Sequence, residues 1–376
     1  WELQPADASL YYGNAGIAHF LAYLGHVTGE QRYTAAARSA LIALRYDLTW
    51  QQAQTRPVEI GGFIGLGAVV YLFSHLGKLW NEPGLFEEAM TVTELLTEQI
   101  KNDTKFDILS GSAGAILSLL SLSTVFPSER VLQAALRCGE HLLVHAQPLE
   151  QGIGWQTVPQ YRPLAGFSHG AAGIAYSLLR LADLNGETRF RRAALAAFAY
   201  ERSLFSTAQQ NWPVLAREEV PQPGFRMSWG YGAPGLGLGR IAALQFIDEP
   251  AIRQEISTAL QTTISLGFGY DHYVYGPNHS LGNGDFGNLE TLLVAAQVLQ
   301  VPGYQETLER ITAMLLESID AYGWVTGTPL NVETPGLMNG LAGIGYQLLR
   351  LAKPGDVPSV LLLAAPRFDQ PHQVRA

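Results

Sequence analysis

The sequence contains a single cysteine, Cys138, among 376 residues. One thiol cannot form an internal disulfide, and no site can take two cysteine ligands from this chain. Such cysteine usage is typical of a reducing compartment, so we expect a cytoplasmic protein. The N-terminus has neither a basic segment nor an apolar one, so the sequence contains no recognisable secretory signal.

Long apolar runs and basic clusters are also missing. No uncharged apolar stretch of about 18 residues occurs, so no membrane span is predicted. Lysine and arginine number 24 against 33 aspartates and glutamates, which gives a formal net charge of −9. An acidic chain without basic runs argues against nucleic acid as a partner.

Glycine, in contrast, is abundant, with 39 residues in a chain that is 47% hydrophobic. Seven pairs of small residues, three positions apart, recur along the whole sequence. The pairs are Gly13/Gly16, Gly65/Ala68, Gly111/Gly114, Gly170/Gly173, Gly232/Gly235, Gly284/Gly287 and Gly340/Gly343. Self-similarity at so regular a spacing predicts a repeat architecture.

Each pair opens an apolar stretch with helical spacing, and a more amphipathic helix follows, for example over 187–205 and 304–319. A helical hairpin cannot bury its apolar face alone, so seven in sequence must stack. The sequence therefore predicts an all-α fold, an α/α toroid of seven helical-hairpin repeats with the apolar helices inside. No linker interrupts the repeats, and we expect one domain over residues 1–376.

In a closed ring, the glycine-marked N-termini of the inner helices all face one end. Helix N-termini carry partial positive charge and free N–H groups, which suits an anionic intermediate. A plainer alternative is that the glycines only permit close packing.

Polar and titratable residues concentrate beside the glycines of repeats three to six, where we expect the site. They are Asp107, Ser168, His169, the segments 225–232 and 278–285, and Asn339 in repeat seven. Other histidines, such as His19, His75, His141 and His145, are assigned no function.

The glycine signals resemble those of the lanthionine synthetase C-like family along essentially the whole chain. Three segments and the ending are similar to the cyclase half of class II lanthipeptide synthetases. They are Asn278-His-Ser-Leu, Gly284-Asp-Phe-Gly-Asn-Leu-Glu290, Gly336-Leu-Met-Asn-Gly-Leu-Ala-Gly-Ile-Gly-Tyr346 and Val357-Pro-Ser-Val-Leu-Leu-Leu363. Those enzymes place a dehydratase domain before the cyclase. With Trp1 at its start, we expect this chain to be the C-terminal part of a larger synthetase.

The resemblance implies a Michael-type addition. A cysteine thiol of a dehydrated precursor peptide with a leader adds to dehydroalanine or dehydrobutyrine, leaving a thioether ring. The family usually activates the thiol with zinc, but its Cys, Cys and His ligand positions are here Gly230, Gly282 and Asn283. We therefore expect no zinc and no other cofactor. Restoring the three ligands is expected to recreate a zinc site, with positive φ at the glycines as the main obstacle.

The resemblance also implies roles for four residues that remain. His169 is the acid/base, Tyr231 donates a hydrogen bond to the enolate, and Arg226 and Asp107 form an orienting ion pair. Read without the resemblance, each of the four is a structural residue. His279 and Asp285 offer an alternative metal site, and Cys138 is interpreted as a core thiol.

Three functions remain open. The first is a zinc-independent cyclase, whose partner would be a dehydratase domain in the same chain or complex. The second is a catalytically degenerate domain that binds precursor peptide or supports the dehydratase. The third is a toroidal glycoside hydrolase, which needs two carboxylates across a cleft. Only Asp107 and Asp285 lie beside the glycines.

Overall fold

The computed structural model describes residues 6–52, 58–214, 224–269 and 276–367, so Trp1 lies outside the described residues. Helices dominate this part of the chain, with two short antiparallel strand pairs. The pairs are β1 (Gln147–Pro148) with β2 (Ile153–Gly154) and β3 (Pro213–Val214) with β4 (Gly224–Phe225). No helix within these ranges is long and apolar enough to cross a bilayer.

Seven helices form an inner ring, each preceded by a glycine-marked loop. They are α1 (Asn14–Thr28), α3 (Leu66–Trp80), α5 (Ser112–Val125), α7 (Ala171–Asn185), α9 (Gly232–Ala243), α11 (Asp285–Leu299) and α13 (Leu341–Ala352). Each inner helix contacts the next, and α13 contacts α1. The ring is therefore closed, as the repeat pattern predicts.

Six helices form the outer layer, each packed against the inner helix that precedes it. They are α2 (Gln31–Gln52), α4 (Pro83–Gln99), α6 (Glu129–His145), α8 (Thr188–Ser203), α10 (Pro250–Leu266) and α12 (Pro302–Tyr322). The helices predicted over 187–205 and 304–319 are thus α8 and a longer α12. Proline at the first position of α12 explains its earlier start, because proline fits where no N–H bond is needed.

The last of the seven repeats is the exception to the hairpin pattern. Within the described residues, α13 is followed by a turn and a short 3-10 helix, Val360–Leu362, instead of an outer helix. This segment is apolar on all sides and buried, so it belongs to the core and not to the amphipathic outer layer.

Backbone hydrogen bonds join the loops before the inner helices around one rim of the ring. The amide of Leu10 donates to Phe63, Phe63 to Leu109, Ile108 to Ser168, Phe167 to Gly230, Gly282 to Met338 and Met338 to Tyr11. Between repeats five and six, side chains make connections: Asn288 donates to the Met227 carbonyl at 3.1 Å and Thr291 to that of Pro234 at 3.0 Å. All seven inner-helix N-termini therefore lie at the same end.

The second glycine of each pair is required by the close approach of its own loop. A Cβ on Gly343 would lie 1.8 Å from the carbonyl oxygen of Leu337, far inside van der Waals contact. In repeat two, Gly67 takes this role instead of Ala68, with the carbonyl oxygen of Gly61 at 2.7 Å from a built Cβ. The plainer interpretation concerned packing between helices, whereas these contacts lie between each loop and the helix that follows it.

The centre of the ring is filled. The Trp229 ring lies 5.0 Å from that of Phe63 and 6.0 Å from that of Phe167, centroid to centroid. The segment after α13 enters the same region, where the Trp229 indole nitrogen donates to the carbonyl of Leu361 at 3.2 Å. The hydroxyl of Tyr71, on α3, donates to the Ala364 carbonyl at 3.0 Å. The ring thus has a packed core beneath its glycine-marked rim.

A polar cluster is also buried in this core. The Tyr23 hydroxyl lies 2.7 Å from His75 Nδ1, and the Tyr346 hydroxyl lies 3.3 Å from His19 Nε2. Burial lowers the pKa of His19 to about 3 and that of His75 well below its usual value. Both histidines are neutral core residues, in keeping with the absence of an assigned function.

Substituting Gly343 with alanine is expected to destabilise the protein strongly. The added Cβ has a backbone carbonyl in its way, and overpacking a core costs about 1–3 kcal/mol. Gly303→Ala, on α12, is the matched control because nothing lies within 4 Å of a built Cβ. Urea unfolding midpoints measure both variants. Equal midpoints would contradict the steric account of the glycine pairs.

The buried histidines predict a loss of stability in mild acid. Their folded pKa values are depressed, so their contribution is present above the unfolded pKa of about 6.5 and is lost as pH falls below it. Each of the two histidines should lower the free energy of unfolding by about 2 kcal/mol between pH 7 and pH 5. In the His19→Phe variant, the fall in unfolding free energy between the two pH values should be smaller by the contribution of His19. His145→Ala, at an exposed position, should leave this fall unchanged. Unfolding free energies at both pH values decide; an unchanged slope in His19→Phe would refute the assignment.

Candidate functional site

The loops before α5 and α7 bring two of the predicted site residues together. The amide of Ile108 donates to the carbonyl of Ser168 at 3.1 Å, so the residues beside them, Asp107 and His169, face each other across adjacent loops. His169 Nδ1 lies 2.5 Å from Asp107 Oδ2. The histidine side chain is 26% exposed and the aspartate 2%, so the carboxylate is buried behind the ring.

This contact determines which nitrogen of His169 is available. A carboxylate accepts, so Nδ1 carries the hydrogen, and Nε2 is the nitrogen left to take up a proton. Two further bonds fix the pair: the Ser110 amide donates to Asp107 Oδ1 at 2.8 Å, and the Thr157 hydroxyl donates to the His169 carbonyl at 2.6 Å. We name Asp107 and His169 the Asp–His dyad.

Tyr231 and Arg226 complete the group from the loop before α9. The Tyr231 ring lies 6.2 Å from the imidazole, and the Arg226 guanidinium carbon lies 5.4 Å from the centre of the Tyr231 ring. Burial raises the pKa of the Tyr231 phenol, Arg226 lowers it and Asp107 raises it, with a net increase. Tyr231 is therefore a neutral hydrogen-bond donor at physiological pH.

The structure corrects the predicted ion pair between Arg226 and Asp107. The Asp107 carboxylate is bonded to His169 and to the Ser110 amide, while the Arg226 guanidinium lies over the Tyr231 ring. The physical reason is position. Asp107, in the loop of repeat three, borders the loop of repeat four, which presents the imidazole. Arg226 lies in the loop of repeat five, one loop further along the rim. Arg226 contributes positive charge and a cation–π contact.

A cavity of about 370 Å³ opens on these four side chains. Among the described residues its lining also includes Lys105, Ser110, Thr157, Val158, Pro159, Tyr161, Leu164 and Val214. Sequence reasoning missed Lys105 and Tyr161. Lys105 stands two residues before Asp107 and could have been found by its proximity, but Tyr161 lies in the connection after β2, away from every glycine signal.

Buried acids hold both loops of the dyad in shape. Asp103 accepts hydrogen bonds from its own loop and from the first turn of α5, at the amides of Lys105, Phe106 and Ser112. Glu201, on α8, accepts from the amides of Gly166 and Ala172 at 2.9 and 2.8 Å, on either side of His169. Its other oxygen forms an ion pair with buried Arg240 at 2.9 Å. The catalytic candidates therefore stand on preorganised loops.

Some of the helix N–H groups expected to be free for an anion are occupied by side chains of the fold. The first-turn amides of Ser112, Ala172 and Ala233 donate to the side chains of Asp103, Glu201 and Asn211, each at 2.8 Å. At repeats three to five these three donors are thus already satisfied within the fold. Positive charge in the cavity comes from the side chains of Arg226 and Lys105.

The positions of the family's zinc ligands do not fit a metal. Gly230, Gly282 and Asn283 lie in the loops before α9 and α11 but offer no thiolate or imidazole. Within the described ranges, no three His, Cys, Asp or Glu side chains are grouped as a metal would require. A Cβ on Gly230 would lie 2.5 Å from Ser168 Oγ, and one on Gly282 2.8 Å from Asn339 Oδ1.

The alternative metal residues are committed to the fold. His279 Nε2 lies 3.1 Å from Ser318 Oγ, its Nδ1 accepts from the Val325 amide at 3.2 Å, and burial lowers its pKa. Asp285 accepts from the amide of Gly269 at 3.2 Å. Cys138 is fully buried, and burial raises the pKa of its thiol, as a core residue requires.

The fold and the site together define a helical toroid with the Asp–His dyad at its glycine-marked rim. The family model for lanthionine synthetase C-like proteins matches residues 4–362. The chain therefore belongs to the lanthionine synthetase C-like family. No curated protein is significantly similar to it in sequence.

Solved structures share the fold at low sequence identity. Nisin cyclase superposes with a TM-score of 0.75 at 15% identity, over 96% of this chain and 93% of that one. A sugar epimerase from a ruminal bacterium reaches 0.52 at 12% identity, covering 79% and 93%. The α-1,6-mannanase GH76A of Salegentibacter sp. HEL1_6 reaches 0.53 at 11%, covering 80% and 88%. These likenesses establish the α/α toroid and nothing finer.

Proposed function

We propose that this chain is a lanthipeptide cyclase domain that works without zinc. The observation that carries the proposal is the Asp–His dyad, which leaves His169 Nε2 available beside Tyr231 in a cavity. The substrate would be a dehydrated precursor peptide with a leader. Family membership and the likeness to nisin cyclase support this reaction class.

The proposed reaction begins with proton transfer. His169 Nε2 takes the proton of a peptide cysteine thiol, whose free pKa of about 8.5 leaves it mostly protonated near neutral pH. Asp107 stabilises the resulting imidazolium, and Arg226 supplies positive charge near the thiolate. Holding thiolate and alkene together in one cavity supplies part of the rate by proximity.

Carbon–sulfur bond formation follows. The thiolate attacks the β-carbon of dehydroalanine or dehydrobutyrine, and the alkene electrons move toward the carbonyl to form an enolate. The neutral Tyr231 phenol donates a hydrogen bond to the enolate oxygen. The imidazolium then returns the proton to the α-carbon. The S–H bond and the alkene π bond are lost, one C–S and one C–H bond are formed, and the thioether ring closes.

The setting of the reaction is part of the proposal. The dehydratase domain in the same chain or complex is proposed from the similarity of several sequence segments to class II synthetases. It would supply dehydrated peptide directly to the cavity, in the cytoplasm. The chain would then be the cyclase portion of a larger synthetase.

A catalytically degenerate domain is the second candidate, favoured by the glycines at two ligand positions, Gly230 and Gly282. Such a domain would bind precursor peptide or support the dehydratase. A glycoside hydrolase finds less support. Asp107 is the one carboxylate in the described lining of the cavity, and it is engaged by His169, whereas glycosidases need a pair.

His169→Ala should slow cyclisation of a dehydrated peptide by roughly 10²-fold or more, the usual contribution of a general acid/base. Tyr231→Phe should have a smaller effect. His26→Ala is the control, because that histidine is exposed in the last turn of α1, at the end of the helix opposite the rim. Ring formation is followed by mass spectrometry after thiol alkylation, against the uncatalysed background. A wild-type rate equal to background would favour the degenerate domain, and an active His169→Ala would remove the dyad from the mechanism.

The purified protein should hold no stoichiometric zinc, since the usual Cys, Cys and His are absent. Elemental analysis should give far less than one zinc per chain. A chelator such as EDTA should leave the cyclisation rate unchanged. About one zinc per chain, or activity lost to the chelator and regained with zinc, would sink the zinc-independent proposal.

A further inference from the structure

The rim position at Gly282 is enclosed by side chains from two other repeats. A Cβ on Gly282 would lie 2.8 Å from Asn339 Oδ1 and 3.0 Å from the Tyr11 hydroxyl, with the Met338 carbonyl oxygen at 3.3 Å. Contacts this short to a Cβ force something to move. The φ angle of Gly282 lies outside the left-handed region, so the obstacle is the neighbours and not the backbone.

Tyr11 has little freedom to move away. Its side chain is only 8% exposed, its ring lies 4.3 Å from that of Tyr12, and its carbonyl accepts the rim hydrogen bond from the Met338 amide at 3.0 Å. Asn339 Oδ1 is buried as an atom and makes no hydrogen bond in the described structure. The space beyond Gly282 is therefore filled by two polar groups from repeats one and seven.

We propose that Tyr11 and Asn339 occupy the space that a metal ligand at position 282 would need, so that packing excludes zinc from this rim even when ligands are restored. A cysteine there must place its sulfur beyond Cβ and about 2.3 Å from the metal, which pushes further into the same space. At Gly230 the obstacle is a single Ser168 hydroxyl on a rotatable side chain, so position 282 is the decisive one.

The inference deepens the zinc-independent site proposed above and rests on the same assignment of position 282. Neither test below measures catalysis. If the packing inference fails, the cyclase proposal is therefore still judged by activity alone. It also corrects the expected obstacle to restoring the site, which is occupied space and not a positive φ.

The first experiment is a thermal-stability cycle. Gly282→Ala should lower the melting temperature by on the order of 3 °C, the scale of mild overpacking. In a Tyr11→Phe/Asn339→Ala background, the same substitution should cost less than half as much. Gly84→Ala, with nothing within 4 Å of its built Cβ, should behave alike in both backgrounds. An equal cost of Gly282→Ala in both backgrounds would overturn the proposal.

The second experiment restores the ligands in an otherwise native chain. The triple variant Gly230→Cys/Gly282→Cys/Asn283→His is loaded with zinc, dialysed and measured for metal and free thiols. Less than about a tenth of a zinc per chain is expected, whereas close to one, held by a tetrahedral site, would overturn the proposal. Should the triple variant fail to fold, the stability cycle decides, because its substitutions add or remove only a few side-chain atoms.

Discussion

The arrangement of this protein depends on one close contact, repeated around the ring, between a loop carbonyl and the first turn of the inner helix that follows. The contact exists only because the helix offers a glycine there, as at Gly173, where a Cβ would lie 2.1 Å from the Phe167 carbonyl oxygen. It fixes the path of the loop over the helix end. Once the path of each loop is fixed, the neighbouring loops can form hydrogen bonds with it. These hydrogen bonds build the rim and bring the two residues of the dyad together.

The same contact explains why the glycines predicted so much of the fold. A steric requirement for glycine is local, so glycines recur in the sequence at fixed positions relative to the inner helices. Their positions therefore predict where each inner helix begins. Gly111, Gly170, Gly284 and Gly340 all precede their helices by one residue. Closure of the ring follows from the count of repeats and the apolar inner faces.

What the sequence could not supply are the pairings made across the ring. Asp107 contacts His169 and not Arg226 because the loop of repeat three borders the loop of repeat four. The two residues are 62 positions apart in sequence, and only the packing of the repeats brings them together. Tyr11 reaches the loop of repeat six for the same reason, since ring closure brings repeats one and seven together. The segment after α13 is another case: within the described residues it is a short buried 3-10 helix, and its burial depends on the core side chains that surround it.

The packed centre affects how this chain can be made. Residues 357–363 belong to the core. Carbonyl groups of residues 358–364 accept hydrogen bonds from side chains of repeats two, five and seven, including Tyr346, whose hydroxyl donates to the Pro358 carbonyl at 2.8 Å. During synthesis, the earlier hairpins can form as they emerge, but their inward apolar faces are not covered until this segment, which follows all seven inner helices, leaves the ribosome. Apolar surface exposed in this way favours aggregation of a partly made chain.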